Sequence, residues 1–596
     1  MNAAPDWEPR VGLAVALLLH DVFFHVRKGA ALSLVAGRCA VQHRATTRHQ
    51  ASERKARPSR AAASTPRAAT SRRARPPASR FARCLLRAGN VAMLALALGL
   101  LQGCARLPGL EGRSVSTAAT DTDSTPLGQA VQPSAQAHPG RSGMFALADA
   151  RNAFAARALL ARAATRTLDV QYYIWRDDLS GTLLLRELLD AAGRGVRVRL
   201  LLDDNNTAGL DALLAALDSH PRIEVRLFNP FAQRRWRLLG YLTDFTRLNR
   251  RMHNKSFTAD NQVTIVGGRN VGDEYFGAGG DLLFADLDVM AAGPVARAVS
   301  RDFDRYWASA SAYPVDRLLT AVDPAAQAAL RARAERLEHE PAARAYIEAL
   351  SGSPFVRELL QGRLPLEWVP MRLVSDDPAK ALGQAADSAL LPQRLRELLD
   401  TPRRELLVVS PYFVPTAAGV AAFRELAQEG VRICVLTNAL EATDVAAVHA
   451  GYALYRRPLL EAGIALYEMK HEGLTPSPGQ RGPVGSSATS LHAKTFAVDG
   501  ARVFIGSFNF DPRSARLNTE MGFVIHSPAL ARQMARAFDE RVPRRAYQVR
   551  LGPDSGLRWV EHTTAGERIH EQEPGAGFWL LLGVRVLSWL PIEGLL

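Results

Sequence analysis

Two stretches of this chain obey one template, and the interval between them limits the fold more than any other feature. RMHNKSFTADNQVTIVGGRN at 251–270 and LHAKTFAVDGARVFIGSFN at 491–509 both run His, any residue, Lys, four residues, Asp, six residues, Gly, a small residue, any residue, Asn. The first copy supplies His253, Lys255, Asp260, Gly267, Gly268 and Asn270, and the second His492, Lys494, Asp499, Gly506, Ser507 and Asn509. The histidines stand 239 residues apart, and Tyr173 in QYYIW reaches Tyr412 in SPYFV by the same 239. Gly195-Val196 to Gly430-Val431 is 235 and Ile223 to Ile464 is 241. Near-constant offsets over such a span are the mark of an internal duplication. Apolar runs at 168–175, 196–202 and 223–228, with a helical pattern at 181–192, give the repeated unit a βαβ order, so the fold is α/β, with two units facing one another.

The chain holds only 6 Lys, at 28, 55, 255, 380, 470 and 494, among 74 basic residues, so two of the six fall in the template beside His. Lys is a compact point charge where Arg is a planar fork, and the template calls for the former. His and Lys two apart on a strand point to one face, so an imidazole and an ammonium converge, with Gly letting backbone approach and the Asn amide adding donors. Displacement at a phosphodiester needs a nucleophile and a proton donor for the leaving oxygen, and two copies supply both.

These residues resemble the double HKD motif of the phospholipase D superfamily, over most of the chain from about residue 145 onward. The resemblance implies two phospholipase D-like α/β units packed about a pseudo-two-fold axis. It implies a covalent phosphohistidine on His253 and proton donation by His492, with Lys255, Asp260, Lys494 and Asp499 completing the catalytic set. Asn270, Asn509, Ser507 and Gly268 would meet the phosphoryl group, and Asp286 and Glu520 would each stand behind a histidine. It implies no cofactor and no metal. QYYIW, LLLDDNN and the LPIEGLL end are similar to the cardiolipin synthase branch, which implies transfer of a phosphatidyl group from phosphatidylglycerol or phosphatidylethanolamine to a second phosphatidylglycerol. Hydrolysis to phosphatidic acid is the nearest alternative, and a nuclease the more distant one.

Charge argues against the nuclease. The net +15 is concentrated in residues 1–104, which carry +13 and leave +2 for the rest, so the body is not a broadly cationic nucleic-acid binder. The partners expected are phospholipid substrates and a membrane surface, with no nucleic acid; oligomeric state is not legible.

Residues 1–80 read as a basic disordered extension, or a translation start placed too far upstream, because Ala, Ser, Pro and Arg cannot bury a core. Residues 81–104 read as a signal segment: arginines, an apolar run at 91–101 too short to span a bilayer, then Leu101-Gln102-Gly103-Cys104. That ending resembles a lipoprotein cleavage box with Cys104 as the lipidated residue, which puts the protein in the cell envelope, membrane-associated and lipid-anchored on the periplasmic side. Residues 105–142 read as a flexible linker, 143–312 as the first half, 313–385 as a helical connecting insertion, 386–548 as the second half and 549–596 as an amphipathic C-terminal tail. Within the tail, 578–590 suits an interfacial helix or a helix packed on the protein. Arg234–Tyr241, mixing cations with apolar groups, reads as a headgroup-contacting segment or a solvated loop.

Overall fold

The computed structural model describes residues 106–278, 282–323, 325–473, 488–590 and 593–596. The basic extension, the signal segment and Cys104 lie outside the described residues. Leu107–Gly240 and Asp244–Leu596 cluster as one compact unit, and both template copies fall within it.

The duplication appears as two mixed sheets, one of nine strands and one of ten. In the first, Thr167–Tyr172, Arg197–Asp203 and Ile223–Phe228 run parallel, and Thr167–Tyr172 pairs on its other side with the antiparallel hairpin Ser256–Ala259 and Val263–Gly267, which Asp288–Ala292 then extends. The second repeats this order with Glu405–Val409, Arg432–Asn438 and Ala465–Met469 in parallel, the hairpin Thr495–Val498 and Arg502–Gly506, and then Met521–His526. Strands covered on both faces read as continuous apolar runs, and Val170, Val198, Leu200, Val225 and Leu227 are accordingly sealed from solvent. The crossover helix Leu179–Gly193 starts where Asp178 accepts the Gly181 amide at 2.9 Å. It ends before Gly195 at φ 98°, matched by Gly430 at φ 88° after the helix Thr416–Gln428, so the duplicated glycines are left-handed helix stops feeding a strand.

Several boundaries differ from those expected. The segment after residue 105 is not a flexible tether: Pro126–Ala137 is a helix capped by Thr125, with Val131 buried. Upstream, the carbonyls of Ser114, Ser116 and Thr117 accept bonds from Arg226, Arg199 and Arg197 of the first sheet, so its small polar residues leave the backbone open to arginines. The first half opens with Ser142–Leu147, which pairs as a strand with Asp288–Ala292 before the helix Ala150–Ala163 begins. The connecting region does hold the helices Ala325–Glu338, Pro341–Ser351 and Pro354–Leu360, but Ala312–Pro314 and Glu367–Val369 join the first sheet and Met371–Ser375 the second. Short strands at sheet edges carry too little periodicity to be read from sequence. Nor is the chain after 549 all tail: Ala546–Leu551, Leu557–Thr563 and Gly566–His570 extend the second sheet.

Candidate active site

Each histidine lies just outside its hairpin, and there the two halves meet. His253 N donates to Thr519 O at 2.9 Å and His492 N donates to Ala285 O at 2.8 Å. Thr519 precedes Glu520 and Ala285 precedes Asp286, so one backbone bond sets each histidine against the carboxylate of the opposite half. His253 Nδ1 donates to Glu520 Oε2 at 2.8 Å, and His492 Nδ1 meets Asp286 Oδ2 at 2.5 Å. Carboxylate acceptors on Nδ1 fix the tautomer and leave Nε2 of each ring for chemistry. The parallel pairing of Ala488–Leu491 with Leu282–Ala285 continues one of these crossings.

The His-x-Lys units are not in strand conformation, contrary to the expected period of two. Lys255 Nζ donates to His253 O and Lys494 Nζ to His492 O, each at 2.6 Å. The chain turns each carbonyl back to the ammonium, which a regular ladder would not allow. Both lysines are buried at 1% exposure, and both histidines at 7%. Burial, then the fields of Lys255 and Lys494, push His253 well below the usual imidazole range. Burial and Lys494 lower His492 to about 4, opposed by Asp286. Burial lowers Lys494 to about 8, held there by Asp286 and Glu520. Burial alone would raise Asp286, but His492, Lys494 and Arg269 hold it below the usual carboxylate range. Burial raises Glu520 to about 7, with Lys255 and the Ser507 hydroxyl pulling the other way. Burial pushes Lys255 well below the usual ammonium range, opposed by Glu520. A pocket with two buried lysines, two neutral imidazoles and carboxylates turned behind them is arranged for a phosphate diester.

Three expected site positions serve the scaffold around this pocket. Ser507 Oγ donates to Glu520 Oε2, so its hydroxyl buttresses the carboxylate and does not face a phosphoryl oxygen. Gly268, its counterpart, makes room: a Cβ there would stand 2.2 Å from Asp286 Oδ1, and its amide donates to Leu287 O. Asn270 gives its oxygen to the Ile174 amide and one N–H to Tyr275 Oη, leaving one donor for a ligand. Asn509 Oδ1 has no hydrogen-bond partner among the described residues.

The template aspartates are not in the pocket. Asp260, at φ 49°, accepts the amides of Thr165, Arg166 and Thr167, and Asp499, at φ 53°, those of Arg403, Arg404 and Glu405. Each sits at the far turn of its hairpin, where a short acidic side chain tolerates left-handed backbone and ties the hairpin to the neighbouring strand. We therefore expect Asp260→Ala to cost about 2–3 kcal/mol of stability, because three amides lose a charged acceptor. Urea unfolding checks the loss, and kcat for the protein that remains folded should stay within about threefold of wild type.

Sequence reasoning did not single out the aromatic walls or the support behind Glu520. Tyr173 packs edge-on to His253 at 5.0 Å, while Tyr275 and Phe284 pack on His492 at 5.2 and 5.1 Å. Tyr173 was visible as a duplicated position; Tyr275 was not, since Ser514 stands 239 residues beyond it. Behind Glu520, Asp376 Oδ2 accepts the Glu520 amide at 2.9 Å and the Lys380 ammonium at 2.8 Å. A third of the six lysines is thus buried one step behind the site, with no spacing to announce it.

The Ser507 bond has a pH consequence. Glu520 must be ionised to accept the His253 Nδ1 proton, and a donor to the anion lowers its pKa. Ser507→Ala removes that donor, so the pKa rises and the acid limb of the pH–rate profile should move to higher pH by roughly one unit, given about 1.5–3 kcal/mol for a charged hydrogen bond.

A family model described as "Cardiolipin synthase, PLD-like domain" matches residues 157–307 and 395–542, one match on each half. Cardiolipin synthase C of Escherichia coli (strain K12) is 53% identical over 472 residues, covering 79% of this chain and 99% of that protein. An uncharacterized protein of Helicobacter pylori (strain ATCC 700392 / 26695) is 31% identical over 75% of this chain and 88% of its own length. Cardiolipin synthase A of Pseudomonas entomophila (strain L48) is 27% identical over 65% of this chain and 66% of its own length.

Proposed function

Because the chain belongs to the cardiolipin synthase branch of the phospholipase D superfamily, we propose that it makes cardiolipin, passing a phosphatidyl group from phosphatidylglycerol or phosphatidylethanolamine to the glycerol of a second phosphatidylglycerol. The observation that carries this reading is the crossed pairing, in which each histidine Nδ1 meets the other half's carboxylate, so that His253 Nε2 and, with the Lys494 ammonium 3.1 Å away, His492 Nε2 serve one phosphodiester.

His253, kept neutral by burial and by the fields of Lys255 and Lys494, attacks phosphorus through Nε2. The bond to the headgroup oxygen breaks as His492 Nε2 gives that oxygen a proton, while Lys255 and Lys494 balance the charge gathering on the phosphoryl oxygens. Asp286, held ionised, stabilises the imidazolium that His492 must become before it can act as the acid. In the second half-reaction His492 removes the proton of the incoming glycerol hydroxyl, whose oxygen displaces His253 from phosphorus. The aromatic walls on His492 help exclude water during the life of the intermediate, which favours transfer over hydrolysis.

Among the described residues no helix is long and apolar enough to cross a membrane. The helix Phe578–Leu587 packs Val584 against Leu440 and Ala450 and exposes Phe578, Trp579, Leu582 and Val586, with Trp589 just beyond, so it both rests on the protein and offers an interfacial face. The headgroup-contacting segment divides similarly: Arg234 and Arg237 turn inward to Asp204, while Trp236 and Leu238 are exposed. Lipidation at Cys104 would hold the protein to the periplasmic side of the membrane, and labelled fatty acid should appear on wild type and not on Cys104→Ala.

The test incubates purified protein with phosphatidylglycerol vesicles, with and without phosphatidylethanolamine, and identifies the lipid products by mass. Cardiolipin supports transfer; phosphatidic acid alone overturns it in favour of hydrolysis. Activity should survive EDTA.

A further inference from the structure

The cleft between the histidines carries a second pair of duplicated positions whose chemistry differs between the halves. Tyr173 Oη is approached by Asn205 Nδ2 at 3.5 Å, whereas Tyr412 Oη donates to both Asp444 oxygens, at 2.9 and 2.8 Å. Asn205 and Asp444 stand 239 residues apart, the interval of His253 and His492, so one structural position holds a neutral amide in the first half and a carboxylate in the second.

The Asp444 side of the cleft is tied to His492. Asn438 exchanges two 3.0 Å bonds with Leu491, the residue before His492, and Ser490 Oγ donates to Ala442 O at 2.7 Å. The segment carrying Asp444 therefore moves with the histidine. The Tyr412 hydroxyl lies within electrostatic reach of those of Tyr275 and Tyr173, which pack on His492 and His253, and Asp444 lies within reach of the Lys494 ammonium. Asp444 itself is solvent-exposed at the rim.

A carboxylate repels a phosphoryl group, and the two buried lysines already serve that anion. What Asp444 favours is a positive charge a few ångströms beyond the phosphorus, on the side where the leaving oxygen takes its proton from His492. A zwitterionic headgroup has that pattern, with phosphate on the lysines and ammonium on the carboxylate. Resting on the phosphatidyl-transfer reading above, we propose that Asp444, held by Tyr412, is the headgroup subsite on the His492 side and takes a phospholipid headgroup bearing a protonated primary amine. As the His253 Nε2–phosphorus bond forms and the phosphorus–oxygen bond breaks, the His492 proton goes to the leaving oxygen, and the headgroup departs as an amino alcohol with its ammonium on Asp444.

The experiment supplies the full chain with vesicles of phosphatidylglycerol and phosphatidylethanolamine and measures free ethanolamine and free glycerol together. For Asp444→Asn, which installs the amide of the first half, the ratio of ethanolamine to glycerol released should fall about fivefold, the range of an exposed charge pair. Asp444→Glu, which keeps the charge, should hold most of the wild-type ratio. A ratio that Asp444→Asn leaves unchanged, including a parallel fall of both products, overturns the subsite and makes Asp444 a structural partner of Tyr412. Wild-type protein that forms cardiolipin and releases no ethanolamine overturns the subsite alone, whereas wild-type protein that forms no cardiolipin from vesicles holding both lipids overturns the transfer reading beneath it.

Discussion

Replacing His253 with alanine should lower kcat/KM for cardiolipin formation by about 10⁵–10⁶-fold, the scale on which loss of a covalent nucleophile is felt. His253 Nδ1 is engaged by Glu520 and its burial among Lys255, Lys494 and the Tyr173 ring keeps it neutral, so Nε2 has a lone pair at neutral pH. The loss should not depend on the leaving group, because without the imidazole no phosphorus–nitrogen bond forms. A phosphodiester with a nitrophenol leaving group should therefore be turned over as poorly as the natural lipid. Mass analysis of acid-quenched wild-type protein with a slow substrate should place a phosphatidyl adduct on the peptide containing His253. An adduct on the His492 peptide would reverse the two roles.

His492→Ala should cost less and behave differently. A general acid contributes about 10²–10⁴-fold when the leaving alcohol is poor, and little when it departs without a proton. Turnover of the natural lipid should fall by that factor, while the first half-reaction with the nitrophenyl ester should stay within about tenfold of wild type, read as a burst of nitrophenol equal to the protein concentration. The adduct on His253 should then persist, because its discharge needs His492 to take the acceptor's proton. Equal losses on both substrates would mean that His492 does not act as the proton donor. The different settings of the rings make the asymmetry reasonable: Asp286 is held ionised beside His492, whereas Glu520 is raised to about 7 beside His253, and only the former favours a proton on its partner ring.

Much of the scaffold was legible in the sequence because a duplication writes its own alignment. The constant offset from Tyr173 and His253 to Tyr412 and His492 gave two α/β units, and the strand at Ile223–Phe228 lies where its apolar run placed it. Glu520 and Asp286 were legible as carboxylates belonging to the site, though not which histidine each would serve. The ordered run Ser114–Thr117 and the strands after residue 545 were hidden because their partners are long-range: arginine side chains in one case, a neighbouring sheet strand in the other.

The template's aspartates show the limit of motif reading most plainly. Spacing binds Asp260 and Asp499 to their histidines in one pattern, yet a two-strand hairpin carries them to its far turn, where they accept backbone amides. What the sequence alone determined is the chemical inventory and its doubling: two imidazoles, two ammonium groups and the carboxylates to serve them, set on repeated α/β units, because these follow from residue type and period. What only the tertiary structure decided is the exchange across the halves, His253 with Glu520 and His492 with Asp286, the turning of Ser507 and Gly268 to the support of those carboxylates, and the aromatic rings packed on the histidines, one on His253 and two on His492. Each is a contact between segments remote in sequence, fixed by the packing of one half on the other through a shared apolar core, and residue spacing carries no record of which partner a side chain will meet there.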